Sequence, residues 1–252
     1  MKKAILSVLA AILFAASPAA GHYLWMDVDN PRPSVGEPVT VRLGWGHRFP
    51  GGEPMRDGML RRVLVVDPEG AVSHLSPASR AVYRFEAERP GVYRFYADVH
   101  PGFVSKTTDG YKRQPKNAVK EALSCFCYDL RAGALLPVGV AEAAGAAFSE
   151  NPLEIVPLSD PTRLATGNTL PVKVLFNGMP LSGARIDATY AGHSDRADDV
   201  AASITADKDG AAGIPITEKG LWLVSASYEP PYPDSAVCDI YRYKFSLTFT
   251  VP

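Results

Sequence analysis

The feature that most constrains the fold is a succession of short segments in which apolar and polar residues alternate, each ended by a turn rich in Gly or Pro. In "HYLWMDV", for example, Tyr23 and Trp25 fall on one face of an extended strand, and Leu24 and Met26 fall on the other. Such segments recur about every eight to twelve residues, and strands with this spacing bury their apolar faces by stacking sheets. We therefore predict an all-β protein with two immunoglobulin-like β-sandwich domains in tandem.

Two series of strands follow one another along the chain. "PRPSVGEPVTVRLGW" opens the first and "PTRLATGNTLPVKVLF" the second, and both place a turn and a glycine before alternating Val and Leu. We predict an N-terminal β-sandwich at 22–148 and a C-terminal immunoglobulin-like β-sandwich at 152–252, joined by the Ala-rich segment that begins at Ala141. Two long polar loops, 47–58 and 100–117, interrupt the first series, and such loops are usually functional or disordered.

Two local patterns predict how strands begin and are joined in the first series. The near-identical segments "AVYRFEA" and "GVYRFYADV" flank Glu88-Arg89-Pro90 and predict an antiparallel hairpin. "KNAVKEALSCF" is compatible with a short helix or with the start of a strand.

The first 21 residues have the layout of a secretory signal peptide. Lys2 and Lys3 precede an apolar run from Ala4 to Ala16, and small residues follow. The run is shorter than the roughly 18 residues needed to span a bilayer. We predict that 1–21 is cleaved, that the mature protein is periplasmic, and that it does not insert into the membrane after cleavage.

Cleavage would bring His22 close to a free α-amine, because cuts after Ala19, Ala20 or Gly21 all leave it within three residues of the new terminus. An α-amine and an imidazole at one terminus can chelate a metal together. A terminus that begins at Ala20 would offer a square-planar set of nitrogens suited to Cu(II) or Ni(II). A strand histidine without a metal is the alternative interpretation.

His47 and His100 each open one of the two long loops, just past a predicted strand end. Because loops cluster at the ends of a sandwich, His22, His47 and His100 could meet there and bind a metal. The alternative for each is a solvated loop histidine. His74 and His193 lack such a placement and are predicted to be surface residues.

Charge and motifs exclude several functional classes. The formal net charge of -1 becomes about -3 once the two signal lysines are removed, which argues against nucleic acid as a partner. No nucleophile elbow, zinc-protease motif or phosphate-binding loop is present, so we predict that the protein is not an enzyme. A copper monooxygenase with an N-terminal histidine, acting on polysaccharide, is an alternative that lacks a clear aromatic substrate face.

Three cysteines predict one disulfide and one remaining thiol in an oxidising compartment. A bridge between Cys125 and Cys127 would close a small strained ring, so Cys238 is the better partner for one of them. Which of the two it joins stays open. A Cys-x-Cys metal site and a buried free Cys238 are the alternatives.

Four short motifs together resemble a known family: His22-Tyr23-Leu24-Trp25, "GHRFP" at 46–50, "SKTTDGYK" at 105–112 and the closing "YRYKFSLTF". The resemblance is to bacterial periplasmic proteins of unassigned mechanism associated with nickel and cobalt ATP-driven uptake, as NikK-like accessory components, and it covers nearly the whole mature chain. It implies metal binding by His22 and, through its place in "GHRFP", by His47. It also implies membrane subunits of a metal uptake transporter as partners. The extra cysteines and the lack of an anchor after cleavage depart from the related systems.

These observations predict a periplasmic transition-metal-binding protein that serves as an accessory or delivery component of nickel or cobalt uptake. The predicted ligands are His22, His47 and His100, and the predicted metal is nickel or cobalt, with copper as a further candidate. The alternative is a metal-independent periplasmic module that binds or scaffolds a protein or glycan partner. The sequence leaves open the metal, the part played by transport and the oligomeric state.

Overall fold

The computed structural model of the protein describes residues 22–139, 146–148 and 150–252. The predicted signal peptide at 1–21, and much of the predicted connection between the two series, lie outside the described residues. Within them the regular structure consists of strands and two short 3₁₀ turns, at Lys116–Ala118 and Pro161–Arg163. The all-β prediction is confirmed.

In chain order the strands are β1 (Tyr23–Val28), β2 (Pro38–Gly46), β3 (Leu60–Val66), β4 (Val72–His74), β5 (Pro77–Ser79), β6 (Val82–Glu86), β7 (Gly91–Val99), β8 (Gly102–Thr107), β9 (Gly110–Lys112), β10 (Ala122–Val138), β11 (Leu153–Pro157), β12 (Thr169–Phe176), β13 (Met179–Pro180), β14 (Arg185–Tyr190), β15 (Ala202–Thr205), β16 (Ala211–Pro215), β17 (Gly220–Tyr228) and β18 (Ile240–Val251).

These strands form three sheets. The front sheet has the order β1-β2-β6-β5, and the back sheet contains β11, β12 and β13, with β16 also paired to β12. The central sheet runs β15-β14-β17-β18-β10-β7-β3-β4, with the β8–β9 hairpin attached to β10. Its middle is the parallel pairing of β10 with β18, which joins strands of the first series to strands of the second. The two series of strands therefore share one continuous sheet.

The front and back sheets cover opposite faces of the central sheet. Along β3, Val63 and Val65 pack in the core beneath the front sheet. The alternate residues Leu64 and Val66 belong to the core that contains the back sheet. Because successive side chains of a strand point to opposite faces, the molecule has three layers with one core on each side of the central sheet.

β1 lies over the parallel pairing of β10 with β18, which is called the seam below. The Thr248 hydroxyl on β18 donates a hydrogen bond to the Met26 carbonyl oxygen. Trp25 packs with Phe49 and with Leu223 of β17 in a small buried cluster. β1 is therefore held from both sides, with Leu24 and Met26 in the front core and Trp25 against the second series.

Strand pairing decides three local features that the sequence predicted differently or left open. β6 pairs with β2 and β5, whereas β7 pairs with β3 and β10, so the predicted hairpin between them does not form. Their connection crosses from the front sheet to the central sheet. The predicted loop at 100–117 contains β8 and β9, because β8 finds a partner in β10. Of the helix compatible with "KNAVKEALSCF", one 3₁₀ turn is present before β10 begins.

A disulfide joins Cys125 and Cys238, and Cys127 is a buried free thiol. The prediction that Cys238 pairs with one of the two neighbouring cysteines is confirmed. The bridge lies at the end of the β10–β18 seam, where the Asp239 carboxylate also accepts a hydrogen bond from the Cys125 N–H at 2.7 Å. Lys116 pairs with the same carboxylate. Covalent and polar contacts thus close this end of the shared sheet.

In the parts of the chain that the structure describes, no helix has the length and apolar character needed to traverse a bilayer.

Candidate metal centre

The register of the first two strands brings His22 and His47 together. Tyr23 pairs with Gly46 in the antiparallel β1–β2 ladder. His22 precedes Tyr23 and His47 follows Gly46, so the two histidines face each other just beyond the end of the ladder. Their ring centroids are 4.1 Å apart. Two predicted ligands separated by a long stretch of sequence are therefore neighbours in space.

The loop that starts at His47 adds a carboxylate. Glu53 donates its backbone N–H to the Trp45 carbonyl oxygen at 2.6 Å, which folds the loop back over the end of β2. Its Oε2 atom then lies 3.4 Å from Nε2 of His22. The Trp45 ring stacks on the His22 ring with a centroid distance of 4.7 Å and supports one face of the imidazole.

His22, His47 and Glu53 form a group whose ligand-capable atoms all lie within 4.8 Å of one another. Two imidazoles and a carboxylate are ligands for divalent transition metals. The side chains of His22 and Glu53 are 35% and 57% exposed, so the group is open to solvent. Three side chains on one metal would leave coordination positions open for water or for another donor.

Burial lowers the pKa of His22, and the neighbouring His47 lowers it further, against the opposing effect of Glu53. A metal binds the deprotonated imidazole, so a lowered pKa favours the ligand form at neutral pH. Next to His22, the Lys244 ammonium group lies over the Tyr23 ring, 3.8 Å from the ring centroid. Burial raises the pKa of Tyr23 to about 12 and lowers that of Lys244 to about 8.

His47 is also contacted by the second series of strands. Its Nδ1 atom lies 3.1 Å from Oδ2 and 3.2 Å from Oδ1 of Asp198, in the connection between β14 and β15. The Asp198 N–H donates to the His47 carbonyl oxygen at 2.8 Å. The site therefore stands where the front sheet meets the C-terminal part of the central sheet.

The structure does not bring the third predicted ligand into this group. His100 follows β7 and is exposed, and its N–H donates to the Met59 carbonyl oxygen. Its role as a ligand stays a prediction that the geometry does not support. His74 is exposed on β4, and His193 packs against the Tyr190 ring at a centroid distance of 5.3 Å.

Sequence reasoning missed Glu53 and Asp198. Glu53 lies in the long polar loop 47–58, six residues after His47. A carboxylate in a loop that begins with a predicted ligand is the sequence signal that points to it. Asp198 is 151 residues from His47 and lies in an acidic stretch, "SDRADD", in which no aspartate stands out.

No curated protein sequence matches the chain. Similar solved structures include the D0-D1 domain of intimin, at 14% identity over 90% of this chain and 97% of that one, with a TM-score of 0.24. Murine CEACAM1b is 9% identical over 91% of this chain and 98% of that one, with a TM-score of 0.22. The FN1-FN3 domains of chicken CNTN1 are 9% identical over 92% and 68%, with a TM-score of 0.25. Similarities at these TM-scores carry no argument about the chain.

One family profile, described as a domain of unknown function and designated DUF4198, matches residues 19–230. The match includes His22, His47, Glu53 and Asp198, and it covers well over half of the chain. The chain therefore belongs to the DUF4198 family.

Proposed function

We propose that the protein is a periplasmic transition-metal-binding protein that binds a divalent metal at His22, His47 and Glu53 and serves as an accessory or delivery component of nickel or cobalt uptake. The observation that carries the proposal is the convergence of these three side chains, with ligand-capable atoms within 4.8 Å of one another. The metal is cargo in this proposal, and a transporter's membrane subunits are the partners that would receive it.

The donor set favours borderline transition metals over calcium or magnesium, because two of the three side chains are imidazoles. Removal of residues 1–21 would add the α-amine of His22 as a further nitrogen. Affinity alone would favour copper over nickel and cobalt, so selectivity would depend on geometry and metal supply. The resemblance to accessory components of uptake systems is what supports nickel or cobalt as cargo.

Solvent exposure supports delivery over a structural role. Structural metal sites are closed four-coordinate cages, whereas sites that exchange ligands keep positions open. Here Glu53 is more than half exposed, and the three ligands come from the start of β1 and from one loop. A metal held in this way can be reached by a donor from a partner protein.

The test is calorimetric titration of nickel, cobalt, copper and zinc into mature protein whose N-terminus has been established by mass spectrometry. We expect one site per chain with a Kd tighter than about 10 µM, which corresponds to roughly 7 kcal/mol. His47→Ala removes a ligand and should weaken binding at least about tenfold. His74→Ala is the matched control, because His74 is exposed on β4 and is not a member of the group, so its loss should leave the affinity unchanged.

Absence of any site tighter than about 10 µM would overturn the proposal and favour the metal-independent binding or scaffolding module. Mature protein that begins well beyond His22 would overturn it as well. His100→Ala, in the same titrations, decides whether that histidine joins the site from outside the group.

A further inference from the structure

The connection between β14 and β15 contacts His47 at two points. The Asp198 N–H donates to the His47 carbonyl oxygen at 2.8 Å, and both carboxylate oxygens of Asp198 lie within 3.2 Å of Nδ1 of the His47 ring. One contact holds the His47 backbone and the other holds the ring. A single residue of the second series of strands thus contacts a predicted ligand from the first series.

The ring contact has a definite chemical consequence. A carboxylate accepts hydrogen bonds, so Nδ1 of His47 is the donor and carries the hydrogen. In the neutral imidazole the lone pair is then on Nε2. Carboxylates that bind the second nitrogen of a ligand histidine in this way select its tautomer and orient its ring.

We infer that Asp198 is a positioning residue which holds His47 in the Nδ1–H tautomer with Nε2 free to bind a metal, so that both series of strands contribute to one metal centre. The expected effect of Asp198 on metal affinity rests on the proposed function. The hydrogen-bonded state of His47 itself does not depend on that function.

The backbone at Asp198 supports this assignment. Its φ of 56° lies in the left-handed region, which residues other than glycine seldom adopt, although aspartate is among those that tolerate it. Such conformations persist where surrounding contacts hold them. At Asp198 the contact is the backbone hydrogen bond to His47, and the same conformation directs the carboxylate to the ring.

A competing interpretation is that Asp198 serves only as a negative charge near other groups. It influences Tyr23 and Lys244 electrostatically, and Asp187 acts on the same two side chains. A charge role of this kind would not depend on the hydrogen bond to Nδ1. The tautomer of His47 therefore separates the two interpretations.

The first measurement uses mature, metal-free protein labelled with ¹⁵N at histidine, at about pH 8, where an ordinary imidazole is neutral. Long-range ¹H–¹⁵N correlation spectra assign the tautomer of His47. We expect the Nδ1–H form in the wild type and a shift towards the Nε2–H form, favoured by free histidine, in Asp198→Ala. Asp198→Asn retains an oxygen acceptor and should keep part of the Nδ1–H form. Asp199→Asn is the matched control, because Asp199 pairs with Arg196 and not with His47.

The second measurement is metal titration of the same proteins. Loss of a carboxylate that orients a ligand histidine typically weakens binding about 10- to 100-fold. We expect this loss in Asp198→Ala, a smaller loss in Asp198→Asn and wild-type affinity in Asp199→Asn. Circular dichroism and thermal melting identify any variant that fails to fold, and Asp198→Asn then carries the comparison.

The outcomes distinguish the inference from the function on which it rests. An unchanged His47 tautomer in folded Asp198→Ala overturns the inference, whatever the metal affinity is. Wild-type affinity in that variant overturns it too. A tautomer that depends on Asp198 in a protein that binds no metal supports the positioning of His47 and rejects the metal function.

Discussion

At the scale of single residues, burial changes the proton affinity of Glu154, an effect that its neighbours in the sequence do not indicate. The side chain is 4% exposed on β11 and accepts hydrogen bonds at 2.8 Å from the Tyr96 hydroxyl and from the Phe148 N–H. Burial raises the pKa of Glu154 to about 7, although both hydrogen bonds act in the opposite direction. The folded protein therefore binds this proton more tightly than the unfolded chain does.

The sign of the resulting pH dependence follows from linkage. The folded pKa is above the unfolded one, so this group's contribution is fully present below about pH 4.5 and is lost as the pH rises through about 7. The difference corresponds to about 3 kcal/mol of unfolding free energy. Glu154→Gln resembles the protonated acid and should abolish this decline. It should be more stable than the wild type above about pH 7 and similar at about pH 4.5.

Urea unfolding of the wild type and of Glu154→Gln across this pH range checks the prediction. The quantity of interest is the difference between the two curves, because other titrating groups contribute equally to both. Parallel curves would contradict it.

At the scale of elements, the β1–β2 pair depends on a glycine inside a strand. Gly44 pairs with Trp25, whose ring lies over it. A Cβ atom at Gly44 would lie 2.1 Å from the Trp25 ring. Trp25 is 3% exposed and packs edge-on against Phe49 with a centroid distance of 5.6 Å. Because Gly44 has no side chain, the Trp25 ring has the space to lie over it and to link the front sheet to the second series of strands.

Gly44→Ala should therefore destabilise the protein by about 1 to 3 kcal/mol, because the Trp25 ring must leave its position. Gly51→Ala is the matched control, since a Cβ atom there meets no atom within 4 Å and should change stability by less than about 0.5 kcal/mol. Urea unfolding gives the free energies, and near-ultraviolet circular dichroism reports the Trp25 environment. Equal stability of the two variants would show that the ring adapts without cost.

At the scale of the whole molecule, the disulfide closes a large loop across the seam of the shared sheet. Cys125 and Cys238 are 113 residues apart, and the parallel β10–β18 pairing begins at Phe126 and Ile240. Arg32 and Asp160 form a second link between the series, at 2.8 Å between Nη1 and Oδ2. The two series of strands are thus expected to unfold as one unit.

Replacing both bridge residues, Cys125→Ser with Cys238→Ser, should lower the unfolding free energy by about 4 to 5 kcal/mol in the chain-entropy description of a loop of this size. Cys127→Ser is the control, because it leaves the bridge intact. A single unfolding transition is expected for the wild type in urea.

Thiol counting gives an independent check of the pairing. Denatured, non-reduced wild type should contain one reactive thiol, and native protein should react slowly because Cys127 is buried and its burial raises the thiol pKa. Three reactive thiols would contradict the bridge.

The sequence by itself determined the local features of this protein. Alternation with a period of two depends only on neighbouring residues, so it was sufficient to identify β1 and to assign Trp25 and Leu24 to opposite faces. His22 and His47 were recognisable because both lie at predicted strand ends. The pairing of Cys238 with Cys125 or Cys127 followed from the geometry of short rings.

Only the tertiary structure decided how distant segments meet. β6 and β7 share nearly the same residues yet join different sheets, because alternation does not encode the partner of a strand. Asp198 reaches His47 across 151 residues, a contact that depends on the shared central sheet. The shifted pKa of Glu154 likewise arises from burial between segments distant in sequence. Contacts of this kind are specified by the packing of the whole chain, and no local pattern carries that information.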